Sequence, residues 1–207
     1  MRSPIREELM SRFAPELGRR LPQFQRGGKE RGAGDIPMWA WEIAPSLTFF
    51  VMLQPFEDKD QFTVEIAWSD DGKFPWRELG ANLFKIESPR CRRRLARLWS
   101  KSQVDPTWEI VRSRTFEETS ARIKALSRGD REEVQRLDQL VEVSVEKAIP
   151  RVAPLVADAV QKLIDYGLPL FQRVVEQRGL TWPSTDKSPS QSTVGDAHGA
   201  PRRMTGS

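Results

Sequence analysis

Histidine, cysteine and tyrosine occur once each in these 207 residues. His198 lies in a polar C-terminal stretch, and Cys91 stands beside four arginines. Zinc centres draw on several Cys or His ligands, and a Cys–His nucleophile needs a histidine within reach. A single cysteine forms no internal disulfide. Long apolar runs are missing too. The longest stretch without a charged residue, Ile43 to Phe56, is too short to span a bilayer and is interrupted by Pro45 and Pro55. The opening MRSPIREELM lacks the apolar region of a secretory signal. These absences weigh against the familiar hydrolase and metalloenzyme chemistries. They lead us to expect a cytoplasmic chain with no membrane partner, no cofactor, no metal and no assigned catalytic residue.

Aromatic rings and arginine dominate instead. There are seven tryptophans and ten phenylalanines, and the net charge is +4. The charge is segmented. Residues 36–75 carry seven acidic and two basic groups, and residues 76–115 carry four acidic and ten basic groups. Such segments attract each other within a fold, face solvent, or form a basic face for an acidic partner.

Hydrophobic periodicity predicts the elements. Ser3-Pro4 opens a helix with Ile5, Leu9, Phe13 and Leu17 on one stripe, and Pro15 is expected to kink or end it. Residues 27–35, GGKERGAGD, read as a polar loop; no Lys-Ser or Lys-Thr follows to make a phosphate cradle. Ile36–Ile43, Leu47–Leu53 and Gln61–Ser69 are rich in β-branched and aromatic residues, and their short links predict an antiparallel meander. The second of these strands is apolar on both faces and is expected to be central. Arg77–Lys85 reads as a short helix or a final irregular strand. Arg90–Lys101 reads as an amphipathic helix, with Cys91, Leu95, Leu98 and Trp99 inward and Arg90, Arg93, Arg94 and Arg97 outward. A turn and a short extended piece follow over 104–111.

Thr115 and Glu118 have capping-box spacing before a helix at 116–126, and Asp130 is placed to cap a helix over 131–149. Further helices surround Pro150, Pro154 and Pro169, with Tyr166-Gly167 read as a helix end. The fold class expected is α+β: a small antiparallel β-meander, an N-terminal helix, and several C-terminal helices packed on one face. One domain is expected over 1–180, with a disordered tail over 181–207.

The strands LTFFVMLQ and QFTVEIAWS, then CRRRLARLW, DPTWEI and the helical KAIPRVAPLV, stand in an order that resembles a family of small uncharacterised bacterial α+β proteins known only as a domain of unknown function. The resemblance spans about residues 5 to 175 by element order. It rests on Gln54, Phe62, Cys91, Arg94, Leu95, Asp105 and Trp108. The proline-rich hairpins and the long tail depart from the pattern. It implies a bacterial cytosolic protein and brings no activity, cofactor or catalytic residue.

Arg90, Arg93, Arg94 and Arg97 are the candidate binding residues, for phosphates or an acidic surface, against the plainer reading of solvated or internally paired side chains. Trp39, Trp41, Trp68 and Trp99 are expected to pack in a core and not to stack on bases. Glu42 and Glu65 are the one carboxylate pair that neighbouring strands could join. Cys91, on the apolar side of its element, is expected to be a buried, inert thiol. The function expected is a non-enzymatic accessory protein, of immunity-like or escort type, that binds another protein. A nucleic-acid-binding factor and a carboxylate-based enzyme are the alternatives.

Overall fold

The computed structural model describes residues 1–27, 36–76, 86–100 and 107–183. The expected loop beyond residue 27, the segment 77–85, Asp105 and the tail beyond residue 183 lie outside them.

Helix α1 spans Ser3–Arg20. Arg2 holds its N-cap position without a side-chain capping hydrogen bond, so Ser3 and Pro4 form its first turn and Ser3 does not cap it. Pro15 does not break it. Pro15 is exposed and the stripe on either side is buried, so the helix loses one hydrogen bond on its wet face while Phe13 and Leu17 hold it down. The strands are β1 (Gln25–Arg26), β2 (Met38–Ala44), β3 (Leu47–Pro55), β4 (Gln61–Ser69), β5 (Arg90–Arg94) and β6 (Trp108–Glu109). They form one antiparallel sheet in the order β1-β2-β3-β4-β5, and β6 pairs with the far end of β4. Pro45-Ser46 makes the tight turn between β2 and β3, where Ala44 faces Leu47.

The stretch read as an arginine helix is thus a strand followed by a 3-10 turn at Leu95–Leu98. The physical reason is the neighbour. Glu65 to Ser69 offers an open backbone edge, and Arg90 to Arg94 fills it in register. Tertiary pairing outweighs the helical spacing of four apolar side chains.

Helices α2 (Phe116–Ser127), α3 (Arg131–Gln139), α4 (Val145–Ala148), α5 (Val152–Lys162) and α6 (Leu168–Gln177) complete the chain. The single helix expected over 131–149 is two, parted by residues 140–144. Tyr166-Gly167 is no terminus: a π-helical turn at Leu163–Gly167 carries α5 into α6. None of the described helices is long and apolar enough to cross a membrane.

Pleating divides the sheet residues between two faces. The first carries Trp39 and Trp41, Phe49 and Val51, and Phe62, Val64, Ile66 and Trp68. Against it lie the α1 stripe and Val152, Val156, Ala159 and Val160 of α5. Phe171 of α6 stacks on Phe49 with centroids 4.2 Å apart, and Phe13 meets Trp39 at 5.2 Å. Trp182 packs edge-on against Trp41 at 5.1 Å, so the packed body reaches past α6. Trp39, Trp68 and Trp108 are therefore core residues, Trp41 packs against them partly buried, and Cys91 is buried. The second face gathers Met38, Phe50, Met52, Ala67 and Phe74 into a smaller cluster.

The Phe49–Phe171 stack joins sheet to helices, and both rings are fully buried. Phe171→Ala is expected to cost about 3–5 kcal/mol in denaturant unfolding. A loss below about 1 kcal/mol would mean that the helical layer contributes little to the core.

Candidate functional site

On β5, Arg90, Arg92 and Arg94 point to the second sheet face beside Ser69, Ala67 and Glu65, whereas Arg93 points to the first beside Ile66. Arg97 sits in the 3-10 turn, where its carbonyl accepts from the Arg93 guanidinium at 3.4 Å. Arg90, Arg93, Arg94 and Arg97 therefore do not share one side of a helix. Burial lowers the pKa of the Arg93 guanidinium from its ordinary value, and Arg97 nearby adds to the effect.

The residue that dominates this region is Arg92. Its Nε donates to Glu65, and both side chains are almost wholly buried. A further Arg92 nitrogen donates to the Trp76 carbonyl at 3.2 Å, and the guanidinium lies 5.2 Å from the Phe74 ring and 5.7 Å from the Trp76 ring. This is an ion pair inside an aromatic bracket, largely withdrawn from water. Arg90 reaches Asp71 at 2.5 Å. Among the described residues, Arg92–Glu65 and Arg90–Asp71 thus join the acidic stretch of the chain to the basic one. Sequence reading passed over Arg92; the signal for it was the alternation of Cys91, Arg93 and Leu95 with Arg90, Arg92 and Arg94.

Glu42 shares the second face with Glu65, yet the two lie far apart. Glu42 is exposed and level with Thr48, whereas Glu65 is level with Met52. Four positions along the strand and two strands across separate their Cα atoms by about 16 Å. No carboxylate dyad forms there.

A second arrangement stands off the sheet. Helices α2 and α3 make an antiparallel hairpin and pack chiefly on each other. Thr115 and Glu118 form the expected capping box, and Asp130 caps α3 by accepting from Glu133 N–H at 3.0 Å. The inner seam is slight, with Ala125 and Leu137 its buried residues. Polar contacts do the rest. Arg112 donates twice to Glu118, at 2.7 and 2.8 Å, and Asp138 accepts from both Arg114 and Arg122. The Arg112 hydrogen bonds, with that of Thr115, hold the Glu118 carboxyl at about 2, below its ordinary 4.5. Arg122 likewise lowers Asp138.

What this hairpin leaves outside is apolar. Phe116 is 84% exposed, Ile123 60%, and Leu126 and Leu140 51% each; the described body adds Tyr166 alone to the large apolar side chains in the open. Beside them a groove of about 450 Å³ runs between the helices, lined by Leu126, Val134, Gln135 and Glu142. A second, of about 420 Å³, runs from Ile123 and Val141 to Asp58 and Lys59 on the β3–β4 connection. Sequence reading marked both helices but not their outer side, although Phe116 and Ile123 are spaced at two helical turns. No protein-family model, curated protein or solved structure matches this chain.

Two outcomes test the polar contacts. Glu65→Ala leaves a buried guanidinium unpaired and is expected to cost about 3–5 kcal/mol in equilibrium unfolding, whereas Glu65→Leu combined with Arg92→Met is expected to restore most of that loss. Equal losses would show that the pair is not the element the second face depends on. In the hairpin, the Glu118 carboxyl is depressed, so its contribution is complete above pH 4.5 and disappears as pH falls to about 2. Arg112→Gln is expected to return the Glu118 midpoint toward 4.5 in a carboxyl-carbon NMR titration. An unchanged midpoint would remove Arg112 as the cause.

Proposed function

We propose that this chain is a non-enzymatic accessory protein of the cytoplasm that binds another protein through its α2–α3 hairpin. One observation carries the reading: four of the five large apolar side chains exposed on the described residues sit on that one hairpin, Phe116 and Ile123 foremost. Apolar groups scattered singly over a surface need no account, but a cluster on one projecting element marks an interaction site. The hairpin also has the build of such an element. Its helices are set by caps and ion pairs, which fix their geometry without spending the apolar side chains. An immunity or escort role remains the form this binding would take.

The arginine stretch supports a nucleic-acid factor less well. Arg90 and Arg92 are engaged with Asp71 and Glu65, and a phosphate would have to displace those carboxylates. The separation of Glu42 from Glu65 takes away the pair on which the carboxylate-enzyme reading rested.

A photo-crosslinking residue at Ile123, compared in living cells with one at the exposed Arg173 of α6, tests the reading. Protein adducts are expected at position 123 and not at 173. The adducted protein, once purified, is expected to bind the chain with Phe116→Ser and Ile123→Ser about tenfold or more weakly than wild type. Adducts at both positions alike, or affinity that ignores the two substitutions, would count against a docking hairpin.

A further inference from the structure

The outer face of α2 has a pattern of its own. Phe116 and Ile123 are seven residues apart, so they lie on one line about 10 Å apart along the axis. Ser120 and Ser127 fall on the same line, and Ala125, the residue buried against the rest of the hairpin, lies on the opposite side. The face therefore alternates large and small: Phe116, Ser120, Ile123, Ser127. Along one flank run Glu117 near the start and Lys124 near the end, both exposed. Neither has an oppositely charged residue three or four positions away within the helix, and no ion pair among the described residues uses either.

We infer that this face also takes a second copy of the same chain, bound α2 to α2 in antiparallel fashion about a two-fold axis. The inference rests on the docking reading above, with the second copy competing for the face that the other protein would occupy. An axis between Ala121 and Arg122 sets Phe116 over Ser127 of the second copy, and Ile123 over Ser120 of the second copy. Each large side chain enters the gap over a small one, and symmetry makes the fit twice. The same operation keeps the charged flanks on one side of the seam. Glu117 then lies within a turn of Lys124 of the second copy, and Lys124 beside Glu117 of the second copy. A parallel pairing about an axis along the seam would instead put the two flanks on opposite sides of it, so that neither Glu117 nor Lys124 would meet the oppositely charged flank of the second copy. The charges thus select the antiparallel arrangement, which also opposes the two helix dipoles. The seam is short. Twelve residues make about 18 Å of helix, and the area such a face covers is below the roughly 1,200 Å² of a standard stable interface. The dimer is therefore a weak one that forms and parts with concentration, and a longer-lived partner can displace it.

Sedimentation equilibrium of the full chain, from micromolar to millimolar and at low salt, tests this. The expected result is a monomer–dimer equilibrium abolished by Ile123→Glu. Glu117→Lys alone is expected to weaken it about tenfold, and Glu117→Lys with Lys124→Glu to restore it, since the swap rebuilds both pairs with reversed sign. These positions are exposed, so each variant is expected to keep the wild-type circular dichroism and melting profile. A chain that stays monomeric at millimolar concentration overturns the inference. So does a dimer indifferent to Ile123→Glu, or one that the double charge swap fails to restore. The two readings fail separately. A monomeric chain that still gives adducts with other proteins at position 123 loses only the second copy, whereas the absence of any adduct there ends the docking reading as well.

Discussion

Strands β3 and β4 are buried on both faces, and the rest of the structure follows from how their one charged group, Glu65, is met inside. Every residue of β4 is buried, including Thr63, Glu65 and Ser69. A carboxylate in that position is tolerated only with a counter-charge at contact distance. Arg92 supplies it, and that requirement sets β5 as a strand in one register against β4. The guanidinium then gives Phe74 and Trp76 a reason to fold back over the second face, since their rings lie against its cation. On the other face α1, α5 and α6 close over a largely apolar surface, with the Trp108 indole N–H donating to Asp158 of α5 at 2.9 Å and Arg93 at its β5 edge.

The core built this way uses most of the large apolar side chains in the described residues. What remains is the α2–α3 hairpin, whose inner seam is too thin to hold two short helices by itself. Caps and carboxylate–guanidinium pairs hold it, at Thr115, Asp130, Glu118 and Asp138. The chain therefore divides its labour: the body is stabilised by burial, and the hairpin is shaped by polar contacts that leave Phe116 and Ile123 in water. A protein whose function is to meet another surface gains from this division, because the binding face can be reshaped without disturbing the core.

Much of the architecture was legible in the chain. The alternation in β4 and the doubly apolar β3 gave the meander and its centre, and the spacing of Ile5, Leu9, Phe13 and Leu17 gave α1 and its buried side. Thr115–Glu118 and Asp130 marked the starts of α2 and α3 because capping is local chemistry. Where reading failed, the deciding contact was distant in sequence. Arg90–Arg94 carries a helical pattern and becomes a strand because residues 65–69 lie beside it. Tyr166-Gly167 looks like a terminus and is not: the chain runs on through a π turn, and the glycine is there for close packing, since a Cβ on it would meet Leu163 Cδ1 at 2.6 Å and Leu95 Cδ1 at 3.4 Å. The candidate site was the less legible part. Attention to arginine led to side chains that the fold itself employs. Periodicity identifies α2 as amphipathic but cannot say which of its sides the body will cover.

Body and hairpin are stabilised by different means. Native-state hydrogen exchange on the full chain measures this most directly. Amides of β3, β4 and α5 are expected to open only with global unfolding, while those of α2 and α3 exchange through a local opening of much lower free energy. Protection in α2 and α3 equal to that of β4 would mean that the hairpin is part of the core after all, and the division on which the proposed binding role stands would be lost.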